Sequence, residues 1–142
     1  MSASAATAAT PAANLRRRSR EALTALAVQY LLGMAANLIG EPENTFVGVV
    51  VAIIVILHVL VAIGLIVVSI RVLLAARAAG VGDRLAVWGV VTIAVTFVAG
   101  VVTISFGSDW ASFVMATGFL VAAALYAGTF LASYRLERSA QA

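Results

Sequence analysis

The stretch VVVAIIVILHVLVAIGLIVVS, residues 49–69, contains no charged residue, and His58 and Ser69 are its only polar side chains. A helix rises 1.5 Å per residue, so about 20 apolar residues cross a hydrocarbon core of roughly 30 Å. Lipid cannot hydrogen-bond the backbone, which a helix satisfies internally. The stretch therefore predicts a membrane-spanning helix with one histidine near its centre.

Three further runs resemble it, so that spans are predicted at about 22–39, 47–70, 85–106 and 111–134, all free of Asp, Glu, Lys and Arg. The chain is 63% hydrophobic and 11% charged, whereas soluble domains are about a quarter charged. Short connections favour antiparallel neighbours. The sequence predicts an all-α polytopic protein, an antiparallel four-helix transmembrane bundle at 22–135. We expect a disordered basic tail at 1–21, rich in Ala, Ser and Thr, and a short tail at 136–142.

The basic residues predict the orientation of this bundle. All nine are arginines, and they lie before the first span, between the second and third, and after the fourth: Arg16, Arg17, Arg18, Arg20, Arg71, Arg77, Arg84, Arg135 and Arg138. Glu41, Glu43 and Asp109 occupy the other two connections. The positive-inside rule then predicts a protein of the cytoplasmic membrane with both termini in the cytoplasm. Because topology explains these charges, the lipid bilayer is the expected partner and nucleic acid is not.

An alternative is that the first span is a cleaved signal peptide, since RRRSR precedes an apolar run that contains the small residues GMA at 33–35. A mature chain would then begin near Ala36. The long leading tail and the polar pair Gln29 and Tyr30 favour an uncleaved helix.

The spans lack the groups that most catalysis or ion coupling would need. There is no cysteine, and no carboxylate, lysine or arginine lies within a span, whereas coupled carriers commonly use such groups. A triad of Ser108, Asp109 and His58 is disfavoured because about eleven helical residues, roughly 16 Å, separate His58 from the membrane boundary. We therefore expect no enzymatic activity, no catalytic residue and no metal site built from several side chains.

Small and polar residues recur at helical spacing in three spans. Such faces allow membrane helices to approach closely. The candidate packing residues are Gln29, Gly33 and Asn37 in the first span, Gly89, Thr92, Thr96, Gly100 and Thr103 in the third, and Thr117, Ala124 and Gly128 in the fourth.

His58 lies near the predicted midplane, where a neutral imidazole needs hydrogen-bond partners. Gln29, Thr96, Tyr30 and Tyr126 fall within about two helical turns of its depth, and Gln29 and Thr96 are the preferred partners. This candidate polar cluster predicts a structural role. The alternative is an axial ligand of haem b, with a second histidine from another protomer; no other cofactor is expected.

The segments QYLLGMAANL (29–38), LHVLVAIGLIVVSIRVLLAAR (57–77) and SFVMATGFLVAAALYAGTFLASY (112–134) resemble small four-helix integral membrane proteins of actinobacteria. This resemblance implies the membrane fold and no particular activity. The leading hypothesis is a non-enzymatic accessory or interaction protein that forms a homo-oligomer or joins a larger membrane complex through small-residue faces. The alternatives are a haem-dependent electron carrier and an oligomeric small-molecule channel or transporter.

Overall fold

The computed structural model describes residues 10–40 and 44–139. These residues form four helices: α1 (Pro11–Ile39), α2 (Thr45–Ala79), α3 (Asp83–Phe106) and α4 (Asp109–Ser139). All four are long and apolar enough to cross a membrane, which confirms the predicted all-α class with four such helices. Glu41 and Glu43 lie outside the described residues.

The helix α1 begins eleven residues before the predicted span, so the expectation of a disordered tail is wrong for residues 11–21. The Thr10 hydroxyl caps the helix by accepting a hydrogen bond from the Ala13 amide, and Pro11 occupies the first turn, a position that suits proline. The interior side of this segment also packs, because Leu15 and Ser19 are fully buried. Residues 1–9 lie outside the described part of the chain.

The other helices also extend past the predicted spans at the end where the arginines lie. α2 continues to Ala79 and ends at Gly80, whose left-handed backbone lets its amide bond the carbonyls of Ala76 and Arg77, a common helix stop. α4 continues to Ser139, so residues 136–139 of the expected tail are helical, while residues 140–142 lie outside the described chain.

Each helix packs chiefly on two others, in the ring order α1, α2, α3, α4 and back to α1. Along the α3–α4 contact, Gly89 lies against Tyr126 and Gly100 lies against Met115. The residue numbers therefore rise on α3 as they fall on α4, and these two helices run in opposite directions. We call the end of the helices that carries Pro11, Ala79, Asp83 and Ser139 the arginine end.

Ion pairs connect and brace the helices at the arginine end. Arg16 of α1 binds Glu137 of α4 at 2.5 Å, and its guanidinium lies 5.2 Å from the centre of the Tyr134 ring. Within α1, Glu21 accepts hydrogen bonds from Arg17 and Arg18. These contacts hold the first turns of α1 against the last turns of α4.

Most buried side chains of the described residues lie toward the arginine end of the helices. They run up to Gln29 on α1, begin at Leu65 on α2, end at Ala99 on α3 and begin at Ala122 on α4. The part of the bundle toward the arginine end is thus closely packed, whereas the described residues beyond these positions include no buried side chain. This asymmetry leaves space between the helices away from the arginine end.

The outward faces of the helices are strongly apolar. Leu38, Leu60, Ile104 and Leu120 are each more than half exposed, and many other large apolar side chains share this exposure. Continuous apolar surface of this extent is rare on proteins that face water. The outer surface therefore suits hydrocarbon, as the composition predicts.

Candidate functional site

The space between the helices forms a cavity of about 460 Å³. All four helices contribute to its walls, and on α3 its lining extends from Ile93 to Ile104, a length of about 16 Å. Most of the lining is apolar. Its polar members are Gln29, Tyr30, Asn37, His58, Thr96, Thr103 and Ser112.

The polar groups lie at two levels. Gln29, His58 and Thr96 are ten to thirteen residues from the helix ends at Ile39, Thr45 and Phe106, or roughly 15–20 Å deep. Asn37, Thr103 and Ser112 lie within the outermost turn or so of their helices. Apolar side chains such as Met115 separate the two levels. The cavity is therefore an elongated apolar space with one set of polar side chains at its deep level and another near the helix ends.

At the deep level, the Gln29 side chain is only 1% exposed, and its Oε1 atom is buried without a hydrogen-bond partner among the described residues. The Nδ1 atom of the half-buried His58 is also buried without one. An unpaired buried polar group costs about 1–3 kcal/mol. Two such groups lining one cavity make this level a candidate binding site.

Glycine lets the imidazole approach α1. A Cβ built at Gly33 would lie 3.2 Å from the Cε1 atom of His58, closer than ordinary van der Waals contact. The ring also approaches the main-chain carbonyl of Gln29. Gly33 therefore brings His58 within one helical turn of the Gln29 amide, without a bond between the two side chains.

The preferred partners of His58 do not form the expected hydrogen bonds in the described chain. The Thr96 hydroxyl instead donates to the Thr92 carbonyl on its own helix at 2.7 Å. A threonine in a membrane helix can bond the carbonyl four residues back, which removes its donor from the interior. Thr96 and Gln29 thus share the cavity with His58, but neither side chain pairs with its Nδ1 atom.

The two tyrosines of the candidate cluster lie apart from this level. Tyr30 is 51% exposed and contributes only to the cavity wall. Tyr126 is fully buried and does not line the cavity. It packs on Gly89, where a Cβ would come within 2.8 Å of the ring. The tyrosine ring lies nearer the arginine end, so the predicted five-residue cluster does not assemble.

Several candidate packing residues lie against other helices of the same chain, but not all. Gly128 approaches Leu85 of α3, whereas Thr117 and Ala124 are exposed. Thr92 and Thr117 line a separate groove of about 290 Å³ between α3 and α4. The stripe proposed for α4 therefore does not form a single interior face, because the buried residues Ala122, Tyr126 and Thr129 define a different side of that helix.

Two contacts in the interior of the bundle were not predicted from the sequence. Gly118 of α4 lies directly against Thr96 of α3, so that a Cβ at this glycine would overlap the threonine hydroxyl. Ser19 of α1 and Thr129 of α4, both fully buried, share a hydrogen bond of 2.9 Å between their hydroxyls. Gly118 lies eight residues before Tyr126, a spacing that places both on one face of a helix and could have predicted that Gly118 faces the interior. The burial of Ser19 was not predicted, because its neighbours Arg18 and Arg20 made the segment look polar.

The charge of the cavity lining limits its chemistry. Its residues include no Asp, Glu, Lys or Arg, and the described chain contains no cluster of three His, Cys, Asp or Glu side chains that could hold a metal ion. A buried charge without a partner is strongly disfavoured. The site is therefore suited to a neutral molecule.

Comparison of the chain with protein-family models, with curated proteins and with solved structures finds no match. The resemblance to small four-helix proteins of actinobacteria stays a prediction.

Proposed function

We propose that the protein is a multi-pass protein of the cytoplasmic membrane, folded as an antiparallel four-helix transmembrane bundle with both termini in the cytoplasm. Four long apolar helices support the spanning arrangement. The placement of every arginine on alternate connections supports the orientation. The cavity then opens toward the outer half of the membrane.

Within this bundle, the proposed role is non-enzymatic binding of a small, largely apolar molecule between the helices. The observation that carries this proposal is the Gln29 Oε1 atom, which is buried without a hydrogen-bond partner among the described residues and belongs to a side chain that lines a cavity of about 460 Å³. Ligand sites are commonly apolar pockets of about 300–1,000 Å³ with a few polar groups that fix orientation. This cavity has both features.

Ligand binding is compatible with the role of a membrane accessory protein, which would act in a larger complex with its ligand bound. Small residues were expected to form the surfaces that associate with other proteins. Gly33, Gly89 and Gly100 instead support packing within the chain, because each lies against one of its own side chains. Ligand binding thus has a more specific structural basis than self-association. A homo-oligomer remains part of the proposal without an assigned interface.

A test of ligand binding uses the purified full chain in lipid nanodiscs and an apolar dye whose fluorescence rises on binding. Saturable binding of about one dye per chain is expected. Ala62→Phe should weaken it, because Ala62 lines the cavity one helical turn from His58 and a phenyl ring there would occupy part of the space at the deep level. Ala52→Phe is the matched control, since Ala52 is exposed on the same helix and does not line the cavity. Absence of saturable binding, or equal loss in both variants, would contradict the proposed function.

The haem alternative has one supporting observation, the unpartnered Nδ1 atom of His58. The chain has a single histidine, so a second copy would have to supply the other axial ligand. A visible spectrum of the protein produced with added haem separates the two functions. A near-stoichiometric Soret band that disappears in His58→Leu would replace the proposed function by that of a cytochrome.

A further inference from the structure

The polar groups in the cavity define the chemical class of the ligand more narrowly. Resting on the proposed function, we propose that the cavity binds a neutral lipid-soluble molecule with a hydroxyl group, the hydroxyl lying between Gln29 and His58 and the apolar body extending toward the mouth.

The requirement for a neutral ligand follows from the lining. None of the described Asp, Glu or Arg residues lines the cavity. A carboxylate, phosphate or ammonium group held beside Gln29 would lose its hydration and gain no opposite charge. Fatty acids and phospholipid headgroups are therefore poor occupants of the deep level.

The requirement for a hydroxyl follows from the two unpaired groups. The Oε1 atom of Gln29 is an acceptor that needs a donor. A neutral imidazole offers one N–H donor and one acceptor nitrogen. One hydroxyl can donate to Gln29 and accept from the His58 N–H at the same time. An ether or a ketone accepts but cannot donate, so it would leave Gln29 unsatisfied.

The shape of the cavity sets the form of the apolar body. The cavity is about 16 Å long over the interval from Ile93 to Ile104. Its apolar walls include Val55, Phe97 and Met115. A linear chain of about twelve carbons, or an elongated isoprenoid of similar reach, matches this length. Hydrocarbon contact supplies the attraction along the walls, and the deep pair of polar groups supplies the selectivity.

The test measures displacement of the apolar dye from the full chain in nanodiscs by dodecan-1-ol, dodecane and dodecanoate. Concentrations are expressed as mole fractions in the bilayer, so that unequal partitioning does not affect the comparison. We expect the alcohol to bind at least about tenfold more tightly than the alkane or the acid, since a site that offers hydrogen bonds rejects analogues that cannot use them. In Gln29→Met, which keeps the length of the side chain, this preference should fall to near unity while dye affinity is retained.

The outcomes separate the two proposals. Dye binding that depends on the cavity, with no preference for the alcohol, overturns the hydroxyl assignment and leaves the proposed function standing. A preference that survives Gln29→Met also overturns the assignment, since the hydroxyl would then bond elsewhere. His58→Leu provides a second readout that should reduce the preference even if Gln29→Met folds poorly. Loss of all saturable dye binding in the wild type contradicts both proposals.

Discussion

Replacing Gly89 by alanine adds one methyl group at a close contact between α3 and α4. The new Cβ would lie 2.8 Å from the Cε1 and Cζ atoms of Tyr126 and 3.0 Å from its hydroxyl oxygen. Because the tyrosine is fully buried, its ring cannot move aside without disturbing other side chains. The substitution therefore tests whether Gly89 permits the packing of the two helices.

Two opposing terms set the expected magnitude. Overpacking a closely packed interior costs about 1–3 kcal/mol, and replacing glycine by alanine inside a helix contributes up to about 1 kcal/mol of stability. We expect Gly89→Ala to lower the free energy of unfolding by about 1–2 kcal/mol. Gly64→Ala is the control, since Gly64 is exposed on α2 and a Cβ there meets no heavy atom within 4 Å. That variant should be neutral or more stable.

The measurement is reversible unfolding in mixed micelles, followed by helical circular dichroism and tryptophan fluorescence. A double variant, Gly89→Ala with Tyr126→Leu, identifies the contact, because the smaller side chain makes room for the methyl group. Its destabilisation should be at least about 0.5 kcal/mol less than the sum of the single effects. If Gly89→Ala is as stable as Gly64→Ala, or if the two substitutions are additive, the proposed contact is wrong.

Other predictions concern packing, pH and orientation. Gly118→Ala should destabilise the protein more than Gly100→Ala in the same unfolding assay, because the first meets a buried threonine hydroxyl and the second a flexible methionine sulfur at 3.3 Å; the reverse order would contradict the α3–α4 alignment. The hydrogen bond from Arg18 lowers the pKa of the Glu21 carboxyl, so its stabilisation is complete above the ordinary carboxylate range and is lost as pH falls through the lowered pKa. Because the carboxyl is 35% exposed, the effect should stay below about 1 kcal/mol. Glu21→Gln should flatten thermal stability between pH 7 and 3, and an unchanged profile would refute the linkage. A reporter active only outside the membrane should be inactive when fused after Ala142, as both termini are expected in the cytoplasm; strong activity would reject that topology.

The sequence by itself determined the class of the protein and the positions of its helices. Uncharged runs long enough to cross a bilayer can form only a few structures in lipid, so residues 49–69 and their three counterparts predicted α2 and the other helices. It did not predict the ordered start of α1. The polar composition of residues 11–21 concealed Leu15 and Ser19, whose burial depends on contact with a distant helix.

The candidate site was predictable in its members but not in its arrangement. Helical periodicity placed Gln29, Gly33 and Asn37 on one face, and counting along the spans placed Gln29, His58 and Thr96 at similar depth. Which way Tyr126 points, and whether Thr96 bonds His58 or its own backbone, depends on the rotation of each helix against its neighbours. One sequence sets each helical face, but only mutual packing selects the rotation.

The cavity itself is a property of the tertiary structure. Small side chains such as Ala76, Ala86 and Gly89 let the helices meet closely toward the arginine end, while the described residues beyond Gln29 on α1 and Ala99 on α3, and before Leu65 on α2 and Ala122 on α4, include no buried side chain. Hydropathy cannot reveal that difference, because lining and lipid-facing residues are equally apolar. Sequence alone therefore determined that Gln29 and His58 lie deep within apolar helices, and the separation of those helices decided that both residues line the cavity.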